Sequence, residues 1–220
     1  MLDFRNIPPV TKYLLILNLI FFVLQNIIPV VNQDFTLHFF KSPNFEPYQL
    51  ITHMFMHGGM SHLLFNMFGL FMFGPDVERM LGEKKFLTYY VLTGFGAVIL
   101  RFIVIYLMNG DRIHDLESDF INNYISYKEY TNNYNGEFGS MVGASGALFG
   151  ILAAFGYLFP DREMFLFQIK AKHFVMIYAA YELYRGLQDA PQDNIAHFAH
   201  LGGALFGYLI LKNWRKKNIF

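Results

Sequence analysis

The chain has 220 residues, 54% of them hydrophobic and only 15% charged, with 26 Phe, no Cys and a formal net charge of +0. Soluble domains carry about 25% charged residues, so this composition argues against a disordered chain, a nucleic-acid binder and an ordinary cytosolic enzyme. The lack of Cys removes disulfides, a thiol nucleophile and thiolate metal ligands.

Taken in chain order, stretches free of Asp, Glu, Lys and Arg cover Tyr13–Gln33, Pro47–Pro75, Phe86–Leu100, Phe138–Pro160, His173–Tyr181 and Asn194–Leu211. A helix crossing about 30 Å of hydrocarbon needs roughly 20 mostly apolar residues. These stretches predict an all-α, polytopic membrane protein with six transmembrane helices near 10–31, 57–74, 85–108, 141–159, 171–187 and 194–212. One membrane domain is expected over 1–220. A large soluble core is the alternative, but no amphipathic helices remain to cover it. Arg5, Lys12, Arg79, Lys84, Lys85, Arg162, Lys170, Lys172, Lys212, Arg215, Lys216 and Lys217 fall in one set of flanks. The positive-inside rule then places both termini in the cytoplasm, with 32–56, 109–140 and 188–193 facing outward. The first apolar stretch reads as a retained span, because Ile27-Ile28-Pro29-Val30-Val31 offers no small-residue cleavage site. The Asn-, Tyr-, Asp- and Glu-rich segment 109–140 reads as an outer loop with a short helix, not a second domain.

Polar groups inside hydrocarbon are costly, which makes them functional candidates. Three clusters sit at the expected outer ends of helices: His53, His57, His62 and Asn66; Gly143-Ala144-Ser145-Gly146; and His197 with His200. If the topology holds, they lie at a similar depth and converge. Ser145 alone is a weak signal, since a membrane Ser usually bonds its own helical turn. Gly146 and Gly150 form one Gly-x3-Gly ridge, and Gly203 and Gly207 another. Small residues at that spacing let helix backbones approach closely, as a Ser–His hydrogen bond between helices requires. Plain helix packing uses the same glycines. A serine hydroxyl needs a base, and His200 is the best candidate. His62 and Asn66, four apart on one helix face, can donate to an oxyanion together with the Ser145 N–H. Phe149 shares the Ser145 face and can stack on the His200 ring. Glu and Asp are absent nearby in sequence, so a dyad is expected rather than a triad. The histidines also raise a metal site, but a His-Glu-x-x-His pattern and an orienting carboxylate are both missing. No metal and no cofactor are expected.

Four motifs, in order, carry a resemblance to the rhomboid intramembrane serine proteases. His57-Gly58-Gly59 with His62-Leu63-Leu64-Phe65-Asn66 resembles the His-x3-Asn signature of the second helix. Gly74-Pro75-Asp76-Val77-Glu78-Arg79-Met80-Leu81-Gly82 is similar to the element that follows it. Gly143-Ala144-Ser145-Gly146 resembles the nucleophile motif, and Ala199-His200-Leu201-Gly202-Gly203 with Gly207 the catalytic-histidine helix. The resemblance covers nearly the whole six-helix core. It implies Ser145 as nucleophile, His200 rather than His197 as general base, and Gly143, His62 and Asn66 at the oxyanion site. Glu78 falls on a position that ties down the cytoplasmic end of the second helix. Implied partners are the lipid bilayer and membrane proteins cut in or beside a transmembrane segment near the outer face, with lateral entry past the fifth helix. A bacterial inner membrane fits the compact form. A non-catalytic relative that binds transmembrane helices, and a transporter, are the competing readings. Two features depart from the family: the only Trp is Trp214, so the Trp-Arg pair of the outer loop is missing, and Phe149 stands where Tyr is common.

Overall fold

The computed structural model describes residues 6–164, 168–188 and 191–219, without the side chains of 191–195. The chain forms α1 (Pro9–Ile27), α2 (Pro29–Phe35), α3 (Gln49–Thr52), a 3-10 turn (His53–Phe55), α4 (Met60–Leu81), α5 (Glu83–Ile121), α6 (Tyr127–Phe138), α7 (Ser145–Leu158), a hairpin of β1 (Glu163–Met164) and β2 (Ile169–Lys170), α8 (Ala171–Gly186) and α9 (Pro191–Lys216). Among the described residues the fold is all-α apart from that two-residue antiparallel pairing and an isolated bridge between Leu37 and Met141. Helices α1, α4, α5, α7, α8 and α9 occupy the positions of the expected spans. Among the described residues, α1 and α5 are long and apolar enough to cross a membrane by themselves, and α7 is a shorter apolar helix.

Local chemistry sets the helix ends. Proline at the first position of α1 loses no intrahelical bond. Pro29 then pushes Ile28 into an extended conformation, so the first helix stops at Ile27 instead of running to the expected 31. Helix α4 follows Gly58-Gly59, runs through Pro75 and stops at Gly82, whose φ of +78° suits a glycine. It therefore continues past the expected end at 74, to Leu81.

The segment 109–140 departs furthest from its expected loop. Helix α5 bends at Asn109, where φ is −131° and ψ 20°, and continues as helix to Ile121. A capping box follows: the Glu129 N–H donates to Ser126 Oγ, and Glu129 Oε2 accepts the Ser126 N–H. It starts α6, which folds back on the end of α5. Ile105, Ile113, Leu116, Tyr130, Tyr134 and Phe138 bury together with Phe39 from the preceding outer segment. This helical hairpin has its own small core because its polar composition conceals an apolar stripe at helical spacing.

Helix α7 lies at the centre, with ten of its fourteen residues buried. It packs against α4, α5, α8 and α9. Tyr89, Tyr90, Leu70, Val77, Ile151 and Phe155 fill the main core around it. Helix α8 is the contrast, since only Ala171, Glu182 and Gly186 are buried along it.

Candidate active site

Ser145 is the first residue of α7, and the backbone before it is held from three directions. Leu37 and Met141 exchange backbone hydrogen bonds of 3.0 and 2.8 Å, and the Gly143 N–H donates to the His53 carbonyl at 2.8 Å. Arg101 of α5, 3% exposed, donates through Nη2 to the Phe138 and Gly139 carbonyls at 3.1 Å each. The His53 carbonyl is in turn fixed, because Nδ1 of the same residue bonds to the Gln49 carbonyl at 2.7 Å. Gln25 of α1 grips the next histidine, donating to the His57 carbonyl at 2.6 Å and accepting its N–H at 2.9 Å. Burial of His53 lowers its pKa to about 4, so the ring is neutral near pH 7.

Gly143 has φ of +114°, and a Cβ there would stand 2.7 Å from His62 Cε1 and 3.4 Å from Asn66 Nδ2. The Gly143 backbone thus lies against both expected oxyanion donors. His62 Nδ1 accepts the Gly58 N–H at 3.2 Å, which leaves the ring proton on Nε2, on the Gly143 side. Asn66 Nδ2 is buried and makes no hydrogen bond within the protein.

The His200 ring reaches Ser145 across the α7–α9 seam. Nε2 lies 2.9 Å from Ser145 Oγ. The Phe149 ring stacks on the imidazole, with centroids 4.3 Å apart and planes 5° from parallel. The close approach comes from the glycines. A Cβ on Gly203 would stand 1.9 Å from the Gly146 carbonyl oxygen, and one on Gly207 3.0 Å from the Gly150 Cα. Gly146 and Gly150 also receive α5, through Ala97 and Thr93. The Tyr89 hydroxyl donates to the Gly150 carbonyl at 2.6 Å.

The expectation that no carboxylate lies near is overturned. Glu182 of α8, 3% exposed, places Oε2 2.9 Å from His200 Nδ1 and 2.7 Å from His197 Nδ1. It is 18 residues from His200 in sequence and reaches the ring only because α8 and α9 run side by side. Its signal was a charge inside an expected span. With His197 and His200 it also forms a group whose ligand atoms lie within 4.8 Å of one another. Ligand atoms around a tetrahedral zinc stand about 3.3–3.5 Å apart. The observed 2.7 and 2.9 Å are direct hydrogen-bond lengths.

Glu78 acts at the other end of α4. It is 1% exposed; Oε1 accepts the Val10 N–H at 2.9 Å, and Oε2 accepts the Thr11 N–H and hydroxyl, each at 2.7 Å. A carboxylate on the open N–H groups of a helix start satisfies them and complements the helix dipole, so Glu78 fastens α4 to α1.

Two cavities meet at Ser145 and His200. One, of about 490 Å³, is lined by Arg101, Asn135, Ser140 and the 138–142 backbone, under the α5–α6 hairpin. The other, of about 880 Å³, is an apolar groove between α4 and α8, lined by Phe65, Phe68, Met72, Phe149, Ile177 and Tyr178. His62 and Asn66 line the groove as well.

Apolar helices with exposed Ile, Leu and Phe faces surround a half-buried serine–histidine pair, the pattern of an integral membrane protein. The Rhomboid domain family model matches residues 44–214, and the chain belongs to the rhomboid family. It is similar to YdcA of Bacillus subtilis (strain 168), 29% identical over 167 residues, which are 76% of this chain and 67% of that one. Rhomboid protease GluP of the same organism is 29% identical over 213 residues, 93% of this chain and 35% of GluP. RHOMBOID-like protein 6, mitochondrial, of Arabidopsis thaliana is 30% identical over 166 residues, 75% of this chain and 43% of the plant protein. The chain thus spans less than half the length of the last two.

Proposed function

We propose that this chain is an intramembrane serine protease that cuts membrane proteins in or beside a transmembrane segment. The observation that carries the reading is the 2.9 Å contact between Ser145 Oγ and His200 Nε2, placed where a polar cavity meets an apolar groove. Ser145 Oγ attacks the scissile carbonyl carbon while its proton passes to His200 Nε2. The carbonyl oxygen becomes an oxyanion held by the Ser145 N–H, His62 Nε2–H and Asn66 Nδ2, the last a buried donor without a protein partner. His200 then returns the proton to the leaving amine. Water from the polar cavity attacks the acyl-serine, again with His200 as base, and releases the second product.

Six spans with both termini cytoplasmic agree with the distribution of Lys and Arg. At 14 residues, α7 is about 21 Å long, short of the roughly 30 Å of hydrocarbon. Its first residue therefore lies below the outer surface when its last reaches the inner one. The cavity under the α5–α6 hairpin opens that depth to water. The groove between α4 and α8 accepts a substrate segment from the side.

Labelling by a fluorophosphonate, and cleavage of a panel of single-span substrates, test the reading. The wild type is expected to label and cut, and Ser145→Ala to do neither. A folded wild type that neither labels nor cuts any substrate would sink the protease reading in favour of a non-catalytic relative that binds transmembrane helices.

A further inference from the structure

We propose that Glu182 is a positioning residue for this site: it holds the His200 proton on Nδ1 and so turns the Nε2 lone pair to Ser145, while His197 steadies the same carboxylate oxygen. The inference rests on the protease reading and deepens it, extending the pair to Ser145–His200–Glu182 with His197 behind.

Three observations carry it. Both imidazoles approach the same atom, Oε2, through the same ring nitrogen, Nδ1, at 2.7 and 2.9 Å. An ionised carboxylate only accepts, so each Nδ1 carries the proton. In the neutral His200 ring Nε2 is then an acceptor, 2.9 Å from the Ser145 hydroxyl that donates to it. The opposite tautomer would put a second donor against that hydroxyl. The Phe149 ring closes one face of the imidazole at 4.3 Å, so stacking sets the plane of the ring and Glu182 sets its rotation within that plane.

The location of Glu182 is the second argument. Helix α8 buries little else, yet it buries this carboxylate. A charged side chain inside a membrane bundle faces a functional partner more often than lipid. Here its partners are the proposed base and the histidine one helical turn before it. When Ser145 gives its proton to Nε2, the ring becomes cationic beside an ionised Glu182. The Nδ1 proton stays on the ring throughout, held by the carboxylate. His197 supplies a second hydrogen bond to Oε2, which keeps that oxygen between the two rings. His62 and Asp76 on α4, Tyr178 and Tyr181 on α8, Arg101 on α5, and Arg162 and Glu163 before and in β1 are the other titratable groups that line the surrounding cavities.

The test uses the full chain in detergent or lipid, with Glu182→Gln compared to wild type. Fluorophosphonate labelling is expected to slow by about 100-fold or more, the scale of a lost histidine orienter. Cleavage of a single-span substrate should lose kcat by a similar factor with KM nearly unchanged. Nitrogen-15 NMR of labelled histidines, with His200 assigned through His200→Gln, should show Nδ1 protonated in the wild type at neutral pH. This last measurement needs no Glu182 variant to fold. Four results would overturn the proposal: Nε2 protonated in wild-type His200; a folded Glu182→Gln that labels at the wild-type rate; activity lost through KM and melting temperature alone, with the tautomer unchanged; or a stoichiometric metal ion that Glu182→Gln loses. A wild type that never labels, by contrast, points to failure of the protease reading itself.

Discussion

Along the α5–α7–α9 seam, backbone meets backbone. Gly203 sits against the Gly146 carbonyl, Gly207 against Gly150, and Gly202 has the Gly96 carbonyl 2.7 Å from where its Cβ would be. On the other flank of the same site, α8 buries three residues over its length and meets the seam through a carboxylate shared by two imidazoles. One side is fixed by close packing, which has no slack. The other is packed more sparsely and is joined to the site by two hydrogen bonds that can break and re-form. A site that must hold a nucleophile still and also admit a helix from the side needs both kinds of wall. The apolar groove opens on the α8 side.

The largest expected effect comes from breaking the seam. In Gly203→Val a branched side chain meets the Gly146 carbonyl, a backbone atom that cannot step aside, with the Cβ only 1.9 Å away. The two helices must move apart by more than 1 Å, and overpacking of this kind costs about 1–3 kcal/mol. The 2.9 Å hydrogen bond between Ser145 and His200 is lost with the approach. Labelling is expected to fall by about 100-fold or more, since misplacement by 1 Å is enough for that. Near-normal turnover in this variant would contradict the close-packing account.

The contrast between the walls also explains what could be read beforehand. The seam was legible because its code is local: Gly146 and Gly150, and Gly203 and Gly207, each repeat at four residues, and that spacing marks one helix face whatever the fold. The order of the motifs pointed to Ser145, His200, His62, Asn66 and Gly143, and the structure brings these five together. Glu182 was not legible in the same way. It sits in Tyr181-Glu182-Leu183-Tyr184-Arg185, which reads as the polar end of a span. Only the pairing of α8 with α9 brings it to His200. A clue was available in His197 and His200, three apart on one helix face, which a single acceptor can serve. The hairpin of α5 and α6 was hidden for another reason. Its Tyr130, Tyr134 and Phe138 repeat at four residues, but Thr, Asn and Glu between them lower the mean hydropathy to that of a loop.

An intermediate effect concerns how the fixed side is anchored at its outer end. The His53 carbonyl holds the Gly143 N–H, and His53 itself is fully buried, with a pKa lowered from 6.5 to about 4 by that burial. The unfolded chain takes up the proton as pH falls through 6.5, and the folded chain resists it until about pH 4. The stability contributed by the neutral ring is therefore whole above pH 6.5 and is lost progressively down to pH 4. The full amount is about 3 kcal/mol at 1.36 kcal/mol per unit. Burial lowers the pKa of His38 in the same outer segment as well, so His53→Gln should remove part of the pH slope in thermal melting and leave the rest. A variant with the wild-type slope would show that His53 is not what loosens the outer end in acid.

The smallest expected effect on stability, and the sharpest test of the comparison, lies on α8. Ile177 is 62% exposed and lines the groove. If α8 is held through Glu182 and not by apolar packing, Ile177→Ala should leave the melting temperature nearly unchanged, within about 0.5 kcal/mol. It should also leave the fluorophosphonate rate unchanged, because a small probe reaches Ser145 without needing the groove. A single-span substrate meets Ile177 on its way in, so KM for that substrate should change by a few-fold while kcat does not. The same truncation inside the seam would cost both. Should Ile177→Ala lower stability by several kcal/mol, α8 would be a packed wall like α7 and α9, and the distinction between a fixed and a yielding side would fail.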